Sequence, residues 1–117
     1  MFVLSEEINI YRGSTYKHTF YLVDNDGGLL DASGYEARLQ VKAKRGDIKV
    51  LADLSEYLDT TTYAAQGIIL LTIPHEYTSG TTLSRGVFDL LVKKTLTGEI
   101  SRAAVGTLKA TDGITRF

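Results

Sequence analysis

The chain has 117 residues, 44% apolar and 23% charged, which suits one soluble globular domain spanning residues 1–117. Thirteen Lys and Arg stand against fourteen Asp and Glu, so a net charge of −1 excludes a general electrostatic attraction to nucleic acid and a polybasic membrane contact. The absence of cysteine excludes disulfides, a thiolate nucleophile and sulfur metal ligands. No apolar run approaches the roughly 18 residues of a membrane-spanning helix. The opening stretch Met1 to Asn9 lacks the basic start and long apolar segment of a secretion signal.

Short apolar runs separated by Gly, Ser, Thr and Asp clusters predict an all-β chain. The first strand is expected over Glu7 to Tyr11, stopped by Arg12-Gly13-Ser14. The second runs from Thr15 to Val23, with Tyr16, His18, Phe20 and Leu22 on one face. Asp24-Asn25-Asp26-Gly27-Gly28 and Asp31-Ala32-Ser33-Gly34 then read as turns, because Asn, Asp and Gly tolerate positive φ. Tyr35 to Lys44 alternates most cleanly: Tyr35, Ala37, Leu39, Val41 and Ala43 against Glu36, Arg38, Gln40, Lys42 and Lys44. A hairpin at Arg45-Gly46-Asp47 is expected to return it along Ile48 to Leu54, with Ile48, Val50 and Ala52 on one face. Ser55 to Gln66 reads as an irregular crossing or one helical turn.

Ile68 to Ile73 carries Ile69, Leu71 and Ile73 on one face and Ile68 and Leu70 on the other, which predicts a central strand buried on both sides. Pro74 ends it and can open a helical turn before Leu83. Arg85 to Lys93, with Phe88, Leu90 and Val92 inward, pairs through a Thr95–Glu99 loop with Ile100 to Ala110. Thr111-Asp112-Gly113 is expected to turn and Ile114 to Phe117 to close the chain. These elements make an antiparallel two-sheet sandwich of about seven to eight strands.

A search for chemistry finds no catalytic, cofactor-binding or metal-binding set. His18 lies mid-strand with no second ligand at metal spacing, and His75-Glu76 is not the start of H-E-x-x-H, because Ser occupies position 79. Asp24-Asn25-Asp26-Gly27 resembles half a calcium loop, but eleven positions after Asp24 stands Tyr35, where a carboxylate is needed. Neither G-x-S-x-G nor a phosphate loop occurs. Arg45-Gly46-Asp47 spells an adhesion tripeptide, with a plain turn reason for its Gly and Asp. Lys42, Lys44, Arg45 and Lys49 form a local basic patch, suited to an acidic partner or to a solvated hairpin face. Tyr57, Tyr63 and Tyr77 fall at strand ends or in loops, where tyrosine anchors interfaces.

Six segments in order resemble a known pattern. Ile8-Asn9-Ile10-Tyr11-Arg12-Gly13-Ser14-Thr15 is similar to I-x-I-x-R-G-D-T, with Ser14 where Asp is usual. Leu22-Val23-Asp24-Asn25-Asp26-Gly27 is similar to L-x-D-x-x-G, and Asp31-Ala32-Ser33-Gly34-Tyr35-Glu36-Ala37-Arg38 to D-L-S-G-A-T-A-R. Gly67 to Pro74 resembles G-x-I-x-L-x-I-P. Gly86-Val87-Phe88-Asp89-Leu90-Leu91-Val92 resembles G-x-Y-x-Y-D-L-x-V with one residue fewer, and Gly106 to Arg116 resembles G-x-x-x-V-x-x-x-V-T-R. Together they resemble the small immunoglobulin-like β-sandwich proteins of tailed bacteriophages, notably the N-terminal domains of baseplate and receptor-binding proteins. Ser55 to Gln66 has no counterpart in that pattern.

The resemblance implies a non-enzymatic virion structural protein that contacts other particle proteins, in multiple copies of a symmetric assembly. A tail or baseplate adaptor or fibre-attachment component is expected, with a capsid decoration protein or a carbohydrate- or receptor-binding module as alternatives. No cofactor, nucleic-acid or membrane partner is expected. Phe2, Val3 and Leu4, with Phe117 at the other end, are apolar, so residues 1–5 are expected either to close the sandwich or to act as an arm docked on a neighbour.

Overall fold

A computed structural model describes residues 1–113 and 115. Eight strands form two sheets: β1 (Leu4–Arg12), β2 (Tyr16–Tyr21), β3 (Tyr35–Lys42), β4 (Ala52–Asp53), β5 (Leu58–Asp59), β6 (Ile68–Ile73), β7 (Arg85–Lys94) and β8 (Ile100–Asp112). A short helix, α1 (His75–Gly80), follows Pro74. One sheet has the order β1-β8-β7-β3-β4 and the other β2-β6-β5. In immunoglobulin lettering, β2, β6 and β5 are B, E and D, and β8, β7, β3 and β4 are G, F, C and C′. The fold is an immunoglobulin-like sandwich. One pairing departs from the expected antiparallel rule: β1 runs parallel to β8, with Glu6 opposite Gly106.

Alternation decides which residues face the core. On β3 Leu39 and Val41 are buried, on β6 Ile69, Leu71 and Ile73, and on β7 Phe88, Leu90 and Val92. Phe20 from β2 meets Phe88 from β7 edge-on across the sandwich, ring centroids 6.3 Å apart. β8 holds a bulge: Leu90 opposes Ala104 while Leu91 opposes Arg102, leaving Ala103 as the extra residue. The bulge turns both alanines inward.

Several expectations need correction. β6 is central in its sheet, but Ile68 and Leu70 are half-buried on its outer face, so it is covered on one side only. The hairpin after β3 opens into a loop over residues 43–51, with Ala43 exposed, Val50 exposed and Ile48 96% exposed. The reason lies in the register. With Val41 opposite Ala52, a longer ladder would set Lys44 opposite Lys49, and like charges facing each other destabilise a strand pair. Ser55 to Gln66 contains two 3-10 turns (Ser55–Tyr57 and Ala64–Gln66) flanking β5. Thr111 and Asp112 continue β8 rather than turning. Of the closing segment expected from Ile114 to Phe117, residues Ile114, Arg116 and Phe117 lie outside the described residues.

Aspartates hold the turns. The Asp24 carboxylate accepts the backbone N–H groups of Asp26 and Gly28 at 2.9 and 3.0 Å. Asp31 caps Ser33, Asp53 caps Ser55, and Asp59 caps both Thr61 and Thr62. Backbone and side-chain donation from Thr62, then from Thr61, lowers Asp59 from the usual 3.8 to about 2. Donation from Ser33 lowers Asp31 and donation from Ser55 lowers Asp53. A carboxyl that titrates lower in the folded than in the unfolded chain contributes stability that is complete above its unfolded value and lost as pH falls through its folded value. Stability should therefore hold above about pH 4 and decline below it as these turns release. A carboxyl-carbon NMR titration should give Asp59 an inflection near 2; an inflection at the usual 3.8 would contradict the capping account.

Thr78 is the buried polar side chain among the described residues. Its hydroxyl accepts the Gly13 N–H at 3.1 Å and donates to the Ser14 carbonyl at 2.8 Å, tying α1 to the β1–β2 corner. Thr78→Val keeps the shape and strands both backbone groups. It should cost about 2 kcal/mol in urea unfolding, and a change below about 0.5 kcal/mol would contradict the tie.

Candidate functional site

The N-terminal segment lies on the small sheet. The Phe2 N–H donates to the Val23 carbonyl at 2.8 Å, and Val23 bridges in turn to Leu29, so Phe2, Val23 and Leu29 lie side by side in antiparallel pairing. Directly opposed residues share a face of the sheet. Leu22 is buried, so Val23 and its two partners face outward. Phe2 is 55% and Leu29 58% exposed. Tyr21, two residues before Val23, adds its exposed ring to the same face and opposes half-buried Ile68. The outer face of the β2-β6-β5 sheet therefore ends in an open apolar patch of Phe2, Tyr21, Val23, Leu29 and Ile68.

The expected residues divide across the fold. Phe2 is in the patch. Met1 packs against the core and Val3 is exposed. Leu4 and Ser5 are the first residues of β1, and Met1 and Phe2 pack and pair within this chain, so residues 1–5 do not stand apart from the sandwich as an arm. Phe117 lies outside the described residues. Tyr57 and Tyr77 meet edge to face, centroids 5.5 Å apart at 62°, both half-buried against the core. Their rings prop α1 against the Ser55–Tyr57 turn. Exposed Tyr63 precedes the second 3-10 turn outside that pair. The structure thus brings Tyr57 and Tyr77 together and leaves Tyr63 outside their ring pair. Leu29 was legible only in part. The Leu29-Leu30 doublet implies that one of the two faces out, but its partner across Val23 is Phe2 from the N-terminal segment.

Polar groups gather at one more place. Glu6, Tyr16 and His18 face into the sandwich between β1 and β2. The Tyr16 hydroxyl lies 3.0 Å from His18 Nδ1, and Glu6 Oε2 lies 3.6 Å from His18 Nε2. Burial raises the Tyr16 hydroxyl above its ordinary value, opposed by a hydrogen bond from the Asn9 backbone and reinforced by the Glu6 charge. His75 and Glu76 form an exposed pair at 3.2 Å. Among the described residues no three His, Asp or Glu side chains converge as a metal site would require.

The basic patch is split. Lys42, Lys44 and Arg45 border a cleft on the outer face of the large sheet, while Lys49 stands in the 43–51 loop away from its lining. Arg45-Gly46 forms the tip of a turn in which Asp47 N–H donates to the Lys44 carbonyl at 3.3 Å and Gly46 has φ +85°. Glycine at positive φ in the third turn position has the plain conformational reason expected for it.

No protein-family model and no curated protein sequence matches the chain. Among solved structures, the chain is similar to the N-terminal domain of phage TP901-1 ORF48, with a TM-score of 0.54 and 11% identity over 92% of this chain and 83% of that one. It also matches a chain in a complex of ICOS with ICOS-L and an anti-ICOS-L VNAR domain, with a TM-score of 0.49 and 12% identity, covering 92% of this chain and 55% of that one. A third match is the N-terminal four immunoglobulin domains of Dscam1 isoform 4.44, with a TM-score of 0.38 and 16% identity, covering 97% of this chain and 27% of that one. The chain thus shares an immunoglobulin-like fold with a domain of a phage protein.

Proposed function

We propose that this chain is a non-enzymatic structural protein of a bacteriophage virion, acting through protein–protein contacts in the tail or baseplate. The observation that carries the reading is the open apolar patch of Phe2, Tyr21, Val23, Leu29 and Ile68. Contiguous exposed apolar surface on a small domain marks a contact with another macromolecule. The six ordered segments that resemble phage sandwich proteins support it, as does the fold shared with the ORF48 domain. An assembly protein needs only modest affinity at each contact, because repetition in a symmetric particle multiplies it.

Separating particles into head and tail fractions and blotting each for this protein tests the reading. Signal in the tail fraction is expected. Signal confined to heads would make it a decoration protein, and signal in neither would overturn the virion reading. Deleting residues 1–3 tests the patch itself. Phe2 contributes one bridge to Val23 and Met1 a partial core contact, so the truncated protein should lose about 1–2 kcal/mol and remain folded. Its incorporation into particles should fall far more than its stability. Unchanged incorporation would show that the patch is not a contact.

A further inference from the structure

We infer that the cleft on the outer face of the large sheet is a docking site for an acidic segment of a partner polypeptide; this rests on the assembly role proposed above and names the partner's chemistry. The cleft has a volume of about 310 Å³. Its floor is mostly apolar, from Val87 and Leu91 on β7 and Val105 on β8, with the polar side chains of Asp89 and Gln40 among them. Its rim is cationic: Lys42 ends β3, Lys44 and Arg45 lie in the turn beyond it, and Arg102 comes from β8.

Four cations thus face one carboxylate, Asp89, in a chain whose net charge is −1. Arg102 pairs with Asp89 at 3.3 Å. Among the described residues Lys42, Lys44 and Arg45 make no ion pair. The opening of the hairpin creates this arrangement. Residues 43–51 leave the sheet at Lys42, so the basic turn stands above the floor instead of continuing the ladder.

The combination selects among anions. A phosphate or a nucleic-acid strand gains nothing from an apolar floor and meets Asp89 within it. An extended peptide with alternating acidic and apolar residues satisfies both, its carboxylates reaching the rim while its apolar side chains cover Val87, Leu91 and Val105. The remaining carboxylate on the floor favours a register in which no acidic side chain sits over Asp89.

The test is an NMR titration of the intact chain with a synthetic peptide alternating glutamate and valine. The comparison ligands are its lysine-for-glutamate counterpart, inorganic phosphate and a single-stranded oligonucleotide. The acidic peptide alone should shift the amides of Gly46, Val87, Leu91 and Arg102, and binding should weaken as salt rises. Lys44→Glu with Arg45→Glu, both exposed and outside any strand, should leave the melting temperature unchanged and weaken binding about tenfold. Absence of shifts, shifts elsewhere, equal response to phosphate or oligonucleotide, or an unaffected double variant would overturn the inference. A second readout separates it from the assembly role. If particles incorporate the wild-type chain and the double variant equally, the cleft is not the contact and the assembly role stands. If particles lack the wild-type chain, the assembly role fails and the peptide titration alone decides the cleft.

Discussion

Replacing Gly106 by valine is expected to detach β1 and to cost about 3 kcal/mol or more. Gly106 lies between two strands, opposite Glu6 on β1 and Phe88 on β7. A β-carbon there would run into the Glu6 carbonyl oxygen and stand 3.1 Å from Phe88 Cε1. The obstacle is backbone, which cannot swing aside as a side-chain end does, so the edge strand itself must move. Its register with β8 would break at the third of nine paired residues, and Glu6 would leave His18. Urea unfolding measures the loss, and amide exchange locates it: residues 4–12 should lose protection while β6 and β7 retain theirs. Gly80→Ala is the control, since nothing lies within 4 Å of a β-carbon there and its φ is not in the left-handed region. It should change stability by less than about 0.5 kcal/mol. A Gly106→Val protein as stable as that control, with β1 still protected, would contradict the close-approach account.

Phe20→Ala is expected to cost about 4 kcal/mol. Phe20 is 1% exposed and meets Phe88 from the facing sheet, so its loss opens a cavity at the junction of the two layers. Immunoglobulin domains commonly tie strands B and F with a disulfide. This chain has no cysteine, and its β2 and β7 are joined by packing alone. Phe20→Leu retains most of the volume and should cost about 1.5 kcal/mol or less. Equal losses for the two variants would contradict the cavity account, because leucine retains most of the volume that alanine gives up.

What could be read in advance follows from how local the physics is. β3 and β7 are visible because their alternation is a property of consecutive residues: Leu39 and Val41, then Phe88, Leu90 and Val92, lie inward as the period of two requires. The end of β3 was not visible, because it depends on the register with β4 that would oppose Lys44 to Lys49. The start of β1 at Leu4 was missed for a similar reason. Glu6 faces inward, and the strand is held by a parallel partner about 100 positions away in the chain. The apolar patch was half legible. Phe2 stood out as an apolar residue at the start, while Val23 and Leu29 gain their meaning only from the bridge that brings the N-terminal segment beside the Asp24–Gly28 turn. Loop position alone does not tell a tyrosine ring that anchors a partner from one that props α1, as Tyr57 and Tyr77 do. The basic patch was found as composition, but the cleft beneath it needed the apolar floor contributed by β7 and β8.

The most direct measurement is quantitative mass spectrometry of phage particles purified from the source of this chain, taking its copy number relative to the major capsid protein. The account predicts a few to a few tens of copies per particle, as a tail or baseplate component assembled in a symmetric ring would give. Complete absence from purified particles would contradict it.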